Sequence, residues 1–320
     1  MFISIIFAIV LGLVVGVAVN ALADDLPLRR SPRLPRYVPM NKKMAVHFRP
    51  TEENPEPPVD MQEDDEKRPF IAWLGITAFL FGKRESSDGT IKLSWRYPIV
   101  EIFTAILMVL AVVAIQDIVA QDTNPTKMSV IQAIYWLIYM GIFSLIIVID
   151  IEHKLILFVV IIPSSLLAIS DALLTEVSIS SSLDLAMHQP QLKNSLIGGA
   201  VGFIVFFIMY NGGFLFTYVM GILRGQKIEE VAFGYGDVMM AMLSGLILGW
   251  EPLLVAMFIT VFLGAFGAIV YMTSRLFLGQ KYSAYTALPY GPYIVIGTLI
   301  MLLYRSQVSE ILLDGGAVVF

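Results

Sequence analysis

Cysteine is absent from all 320 residues. That excludes a disulfide scaffold, a Cys-based zinc or iron–sulfur site and a thiol nucleophile, and it leaves the redox compartment undetermined. Histidine is nearly as scarce. His47, His153 and His188 are scattered with no pair at ligand spacing, so no metal site is expected. Charge is short as well, at 15% of residues against about 25% in soluble domains, too little to cover a surface that faces water. No internal repeat of fixed period is present, unlike the repeated halves usual in secondary transporters. The first 22 residues contain no Lys or Arg. They therefore lack the basic head of a secretory signal, although Ala21-Leu22-Ala23 resembles a cleavage site.

What is present is apolar. Hydrophobic residues make up 57% and the mean hydropathy is +0.78, which predicts an all-α polytopic membrane helix bundle embedded in a lipid bilayer. A hydrocarbon core of about 30 Å needs about 20 apolar residues per helix. Eight stretches qualify, at 2–22, 98–120, 128–149, 155–174, 195–223, 233–250, 252–274 and 286–304. Asn211-Gly212-Gly213 interrupts the fifth, and a glycine-rich charged turn opens the sixth. The expected organisation is a first transmembrane helix at 1–22, a loop domain at 23–97, a membrane-embedded domain at 98–305 and a short tail at 306–320. The loop holds 25 of the 47 charged residues. Its prolines and the run Glu63-Asp64-Asp65-Glu66 predict extended chain. Its apolar piece Phe70–Gly82 is too short to span, so it lies at the interface or packs on the bundle.

Basic loops stay in the cytoplasm. The loop 23–97 carries thirteen Lys and Arg, and threading eight spans from an outside N-terminus puts Lys154, Arg224, Lys227, Arg275 and Lys281 on the same side. That is 18 of 21, leaving Lys127, Lys193 and Arg305 opposite. The net charge of −5, with the basic residues gathered in one loop, offers no face for nucleic acid.

Ionisable groups near hydrocarbon are expensive and usually face a cavity. Asp150 closes the third stretch in Asp150-Ile151-Glu152-His153-Lys154, and Asp237 opens the sixth in Phe233-Gly234-Tyr235-Gly236-Asp237-Val238. The threading puts both at the cytoplasmic edge. Two carboxylates sharing one water ionise in separate steps, so one can accept a proton while the other gives one. That is aspartic-type peptide hydrolysis, which uses neither metal nor thiol. Gly234 and Gly236 would free the turn ahead of Asp237. The alternative for Asp150 is a solvated helix end paired with Lys154, four residues on. Glu101, Asp117 and Asp171 also sit in or beside membrane helices.

These motifs resemble those of the type IV prepilin peptidases, bacterial membrane aspartic proteases of the Gly-x-Gly-Asp class. Gly234-Tyr235-Gly236-Asp237-Val238 looks like the second catalytic motif and Asp150–Lys154 like the first. Leu288-Pro289-Tyr290-Gly291-Pro292 is similar to the family's Pro-x-Gly-Pro segment. Gly12–Asn20 with Leu26-Pro27 resembles the opening helix, and Leu93–Glu101 the join before the second. The resemblance implies Asp150 and Asp237 as the catalytic acids, either able to be the base. Pro289, Gly291 and Pro292 would brace the site or simply cap the last span, and Gly16 and Asn20 read as packing residues.

By the same resemblance the substrate is a prepilin-like precursor, cut on the cytoplasmic side of the bacterial inner membrane, with the pilus or secretion assembly machinery as a further partner. Proteolysis would need no cofactor. Many members also N-methylate the new terminus with S-adenosylmethionine, and that cofactor is implied here only if the methyltransferase activity is retained. The chain departs from the family in lacking its Cys-x-x-Cys pairs, in Ile156-Leu157-Phe158 where Ile-Pro-Asn is usual, and in Met239 where a lysine is common. Two other readings stay open: a proton- or sodium-coupled secondary transporter, and an inactive relative that docks pilins.

Overall fold

The computed structural model describes residues 2–37, 66–87, 89, 91–121, 130–180, 190–224, 234–277 and 289–312. The acidic run before Glu66, His47, His188, Lys127, Lys227, Lys281, Phe233 and Leu288 lie outside the described residues. The described chain is helical, apart from isolated antiparallel bridges between Arg36 and Lys67 and between Glu85 and Lys92. It divides into two compact units, Met1–Asp117 with Ala133–Leu157, and Ile118–Gln132 with Phe158–Phe320.

The first unit contains α1 (Phe2–Asp25), α2 (Gly75–Leu80) and most of α3 (Arg96–Gln121) and α4 (Val130–His153). Helices α1 and α3 run antiparallel at close range. Ser4 meets Gln116 at 2.8 Å, and a Cβ on Gly12 would fall on Ala105 and one on Gly16 on the Glu101 backbone. Small residues four apart allow this approach, which in lipid supplies the packing that hydrophobic exclusion cannot. The Gly16 reading as a packing residue matches that contact. Helix α4 joins through Gly141 against Val15 and through Thr104 Oγ1 to Ser144 Oγ at 2.6 Å.

The apolar piece 70–82 packs on the bundle. Gly75 sits against Tyr97, and the fully buried Glu101 accepts the Gly75 and Ile76 N–H groups at 2.6 and 3.1 Å. Glu101 thus satisfies two orphan donors at the start of α2. Tyr37, Ala72, Ala78, Leu93 and Tyr97 form a small core beneath it.

The second unit contains α5 (Phe158–Ser180), α6 (Leu192–Arg224), α7 (Tyr235–Leu248), α8 (Trp250–Phe277), α9 (Gly291–Leu303) and α10 (Arg305–Leu312). Helix α7 is its axis, with ten of fourteen residues buried, and α5, α6, α8 and α9 surround it. Gly198 and Gly202 of α6 meet Gly245 and Ala241 of α7 so closely that no Cβ fits on any of the three glycines. Ser195 Oγ donates to the Leu246 carbonyl at 2.6 Å, and Thr298 Oγ1 to Ser244 Oγ at 2.7 Å. Helix α6 continues unbroken through Asn211-Gly212-Gly213, where Asn211 Nδ2 donates back to the Phe207 carbonyl at 2.7 Å.

Six described helices, α1, α3, α4, α5, α6 and α8, are long and apolar enough to cross a membrane. The other two expected spans are α7 and α9, with 14 and 13 residues. At 1.5 Å per residue they reach only about 20 Å, short of a hydrocarbon core. Most of their residues are buried among neighbouring helices.

Candidate active site

In the second unit, Gly234 has extended backbone and starts α7, and the Asp237 N–H donates to its carbonyl at 3.1 Å. Asp237 Oδ2 accepts the Gly234 N–H at 3.1 Å in return. This reciprocal cap makes Asp237 the third residue of the helix and holds its carboxylate beside the helix start, where the backbone's partial positive charge stabilises an anion. A Cβ on Gly234 would lie 3.3 Å from that oxygen. Only 8% of Asp237 is exposed. Beside it, the Tyr235 ring packs on Phe158 at 6.0 Å and on Tyr210 at 5.8 Å.

Pro289, Tyr290, Gly291 and Pro292 form the start of α9, with Pro292 in the first turn, where a missing N–H is harmless. Gly291 is buried there. A Cβ on Gly264 of α8 would strike the Tyr290 ring, and one on Gly267 would strike the Tyr293 hydroxyl. The Tyr290 phenol is pushed above its ordinary value, first by burial and then by the negative charge of Asp237. The negative charge of Asp237 is thus felt at the Pro-x-Gly-Pro segment. In the sequence Tyr290 is marked only by its place between two motif residues, Pro289 and Gly291.

In the first unit, Asp150 is 4% exposed and sits in the last turn of α4. The Lys154 N–H donates to the Asp150 carbonyl at 2.8 Å, and Lys154 turns left-handed (φ 52°) to end the helix. Two residues past Asp150, Glu152 Oε2 accepts from Arg96 Nη1 at 2.6 Å. Arg96 Nη2 reaches Asp24 Oδ1 at 2.7 Å, and the Tyr97 hydroxyl donates to Asp24 Oδ2 at 2.8 Å. One guanidinium thus ties the end of α1 and the end of α4 to the start of α3. The Arg96 and Arg68 guanidiniums lie 4.5 and 4.7 Å from the Tyr97 ring. Burial lowers the Arg68 pKa against the opposing pull of Tyr97, Asp24 and Glu101. Asn20 Nδ2 donates to the Tyr97 carbonyl at 3.0 Å, which gives Asn20 the packing role expected of it. A second buried ion pair, Asp25 with Arg36, fixes the chain leaving α1.

The Arg96 clamp was not read from the sequence. Its members are 56 and 72 residues apart, and nothing local distinguishes them from loop charges. Asp171 is buried within α5, while Asp117 is exposed on α3.

The sequence profile of the type IV leader peptidase family matches residues 137–269, a stretch that includes both aspartates. Over those residues the chain is similar to the type IV leader peptidase family. A prepilin leader peptidase/N-methyltransferase of Bacillus subtilis (strain 168) is 25% identical over 236 residues, 73% of this chain and 77% of the relative. A protein of the same name from Aeromonas hydrophila is 26% identical over 119 residues, 37% of this chain. That match spans about a third, 36%, of the Aeromonas relative's length. No solved structure matches the chain.

Proposed function

We propose that this protein is a membrane aspartic endopeptidase that removes the leader of prepilin-like precursors, with Asp150 and Asp237 as its acids. The observation that carries the reading is the build of the Gly234–Asp237 turn, a buried carboxylate held by a glycine N–H at the start of a short central helix. It stands within a region matched by the leader peptidase family.

The helix ends suggest which acid does which task. Asp237 lies in the first turn of α7, where backbone charge and the Gly234 N–H stabilise a carboxylate, so it serves as the base. Asp150 lies in the last turn of α4, where partial negative charge disfavours a second anion, so it serves as the acid. Asp237 takes a proton from water as the oxygen attacks the scissile carbonyl carbon, and Asp150 gives its proton to the carbonyl oxygen. Collapse of the tetrahedral intermediate breaks the C–N bond, returns that hydroxyl proton to Asp150 and passes the Asp237 proton to the leaving amine.

The basic-residue distribution supports a cut at the cytoplasmic face of a bacterial inner membrane, where a basic leader meets an apolar helix. Proteolysis by this pair needs no cofactor. Methylation would need S-adenosylmethionine, and the missing Cys-x-x-Cys pairs weigh against it. Partners in pilus or secretion assembly would meet the loop 23–97. The test is incubation of membranes holding the wild-type protein with a prepilin-like reporter, followed by product mass. A single cut before the apolar helix, with no added methyl group, is expected. An uncut reporter would overturn the proteolytic reading, and a product heavier by one methyl would restore the transferase.

A further inference from the structure

The segment 70–81 has an inside-out distribution of size. Its buried residues are small, Ala72, Gly75 and Ala78, whereas Phe70, Leu80 and Phe81 are 79%, 75% and 66% exposed. An exposed patch of large apolar side chains on an extramembrane segment marks a surface that something covers. The neighbouring helix indicates what that is. Ile99, Ile102 and Ile106 of α3 are all exposed at helical spacing, so they form one lipid-facing stripe of a membrane-crossing helix.

Trp95, 60% exposed, stands one residue before α3 and heads that stripe. Its ring meets Phe79 of α2 at 4.4 Å. The exposed face of α3 is therefore joined through Trp95 and Phe79 to Leu80 and Phe81 of α2 and its C-cap. At that junction the Arg84 guanidinium lies 4.7 Å from the Phe79 ring and 5.7 Å from the Trp95 ring, held by Nε to the Leu93 carbonyl at 3.1 Å. Exposed Lys83 lies beside it. Aromatic rings over an apolar face with cations at the rim are what the headgroup level of a bilayer selects.

We propose that segment 70–81 is a membrane-surface anchor, inserting Leu80 and Phe81 at the boundary between headgroups and acyl chains while Arg84 and Lys83 meet lipid phosphates. The occupant of this face is the bilayer that α3 already crosses. The anchor would hold the loop 23–97 against the membrane and support Glu101 and the start of α3 from outside. It does not depend on the catalytic reading.

The absence of cysteine makes the test direct. Single variants Leu80→Cys and Phe81→Cys would carry a nitroxide label, in vesicles of phosphatidylcholine with phosphatidylglycerol. Ile102→Cys is the lipid control and Ser87→Cys the aqueous one. The expected result is greater collision of the 80 and 81 labels with oxygen than with a water-soluble nickel chelate, at a depth of about 5–10 Å below the headgroups. Nickel accessibility equal to that at residue 87 would overturn the proposal. Exclusion of both reagents would overturn it too, because that would mean a protein surface covers the segment.

Discussion

Tyr37 and Tyr290 are neutral phenols whose proton is harder to remove in the folded protein. Burial raises both, and the charge of Asp237 adds to the effect at Tyr290. The unfolded chain loses these protons near pH ~10. The stability they contribute is thus whole below that pH and is lost as pH rises through their higher folded values. The midpoint of thermal unfolding in detergent should fall as the pH rises above about 10. In a variant carrying Tyr37→Phe and Tyr290→Phe the fall should be shallower, and an identical fall would contradict the assignment. At the same scale, Asp237 is both a cap and an acid. Asparagine there keeps an acceptor for the Gly234 N–H, so Asp237→Asn separates the chemistry from the fold.

Two glycines within helices stand in opposite surroundings. A Cβ on Gly245 would lie far inside van der Waals contact of the Gly198 carbonyl oxygen, whereas one on Gly212 meets nothing within 4 Å. Gly245→Ala must separate α6 from α7 and should cost about 1–3 kcal/mol. Gly212→Ala should be neutral or stabilising by about 0.5–1 kcal/mol through helix propensity. Thermal unfolding in one detergent checks both, and equal effects would contradict the packing described. The Arg96 clamp makes a further demand. Arg96→Met leaves the carboxylates of Asp24 and Glu152 facing each other, largely buried, without their cation. Loss of one partner from such a group costs about 3–5 kcal/mol when burial is complete, and solvent access here brings the expectation to about 3 kcal/mol. Reporter cleavage should fall with it, since Glu152 is two residues from Asp150. Unchanged unfolding would remove the clamp from the account.

For the molecule as a whole, the helical membrane fold was legible because apolar runs of 20 or more residues have few other uses. Helix lengths were less so. The apolar stretches at 233–250 and 286–304 contain helices of only 14 and 13 residues, because apolar runs do not mark where a helix starts and stops. The turn before Asp237 was legible through its glycines, and the described turn places Gly234 as its cap partner. Asp150 was singled out by its place at the end of an apolar stretch, a weaker signal, because an aspartate at a helix end has many structural uses. The Arg96 clamp and Tyr290 were not legible, since long-range ion pairs leave no local pattern.

The proposal at the centre of the account is that peptide cleavage requires both Asp150 and Asp237. It is tested most directly by cleavage of a prepilin-like reporter in membranes, comparing wild type with Asp150→Asn and Asp237→Asn, each checked for insertion and thermal stability. The account predicts cutting by wild type and a loss of at least about 10²-fold in each single variant, the scale of a removed general acid or base. Full activity in either inserted, stable variant would contradict it.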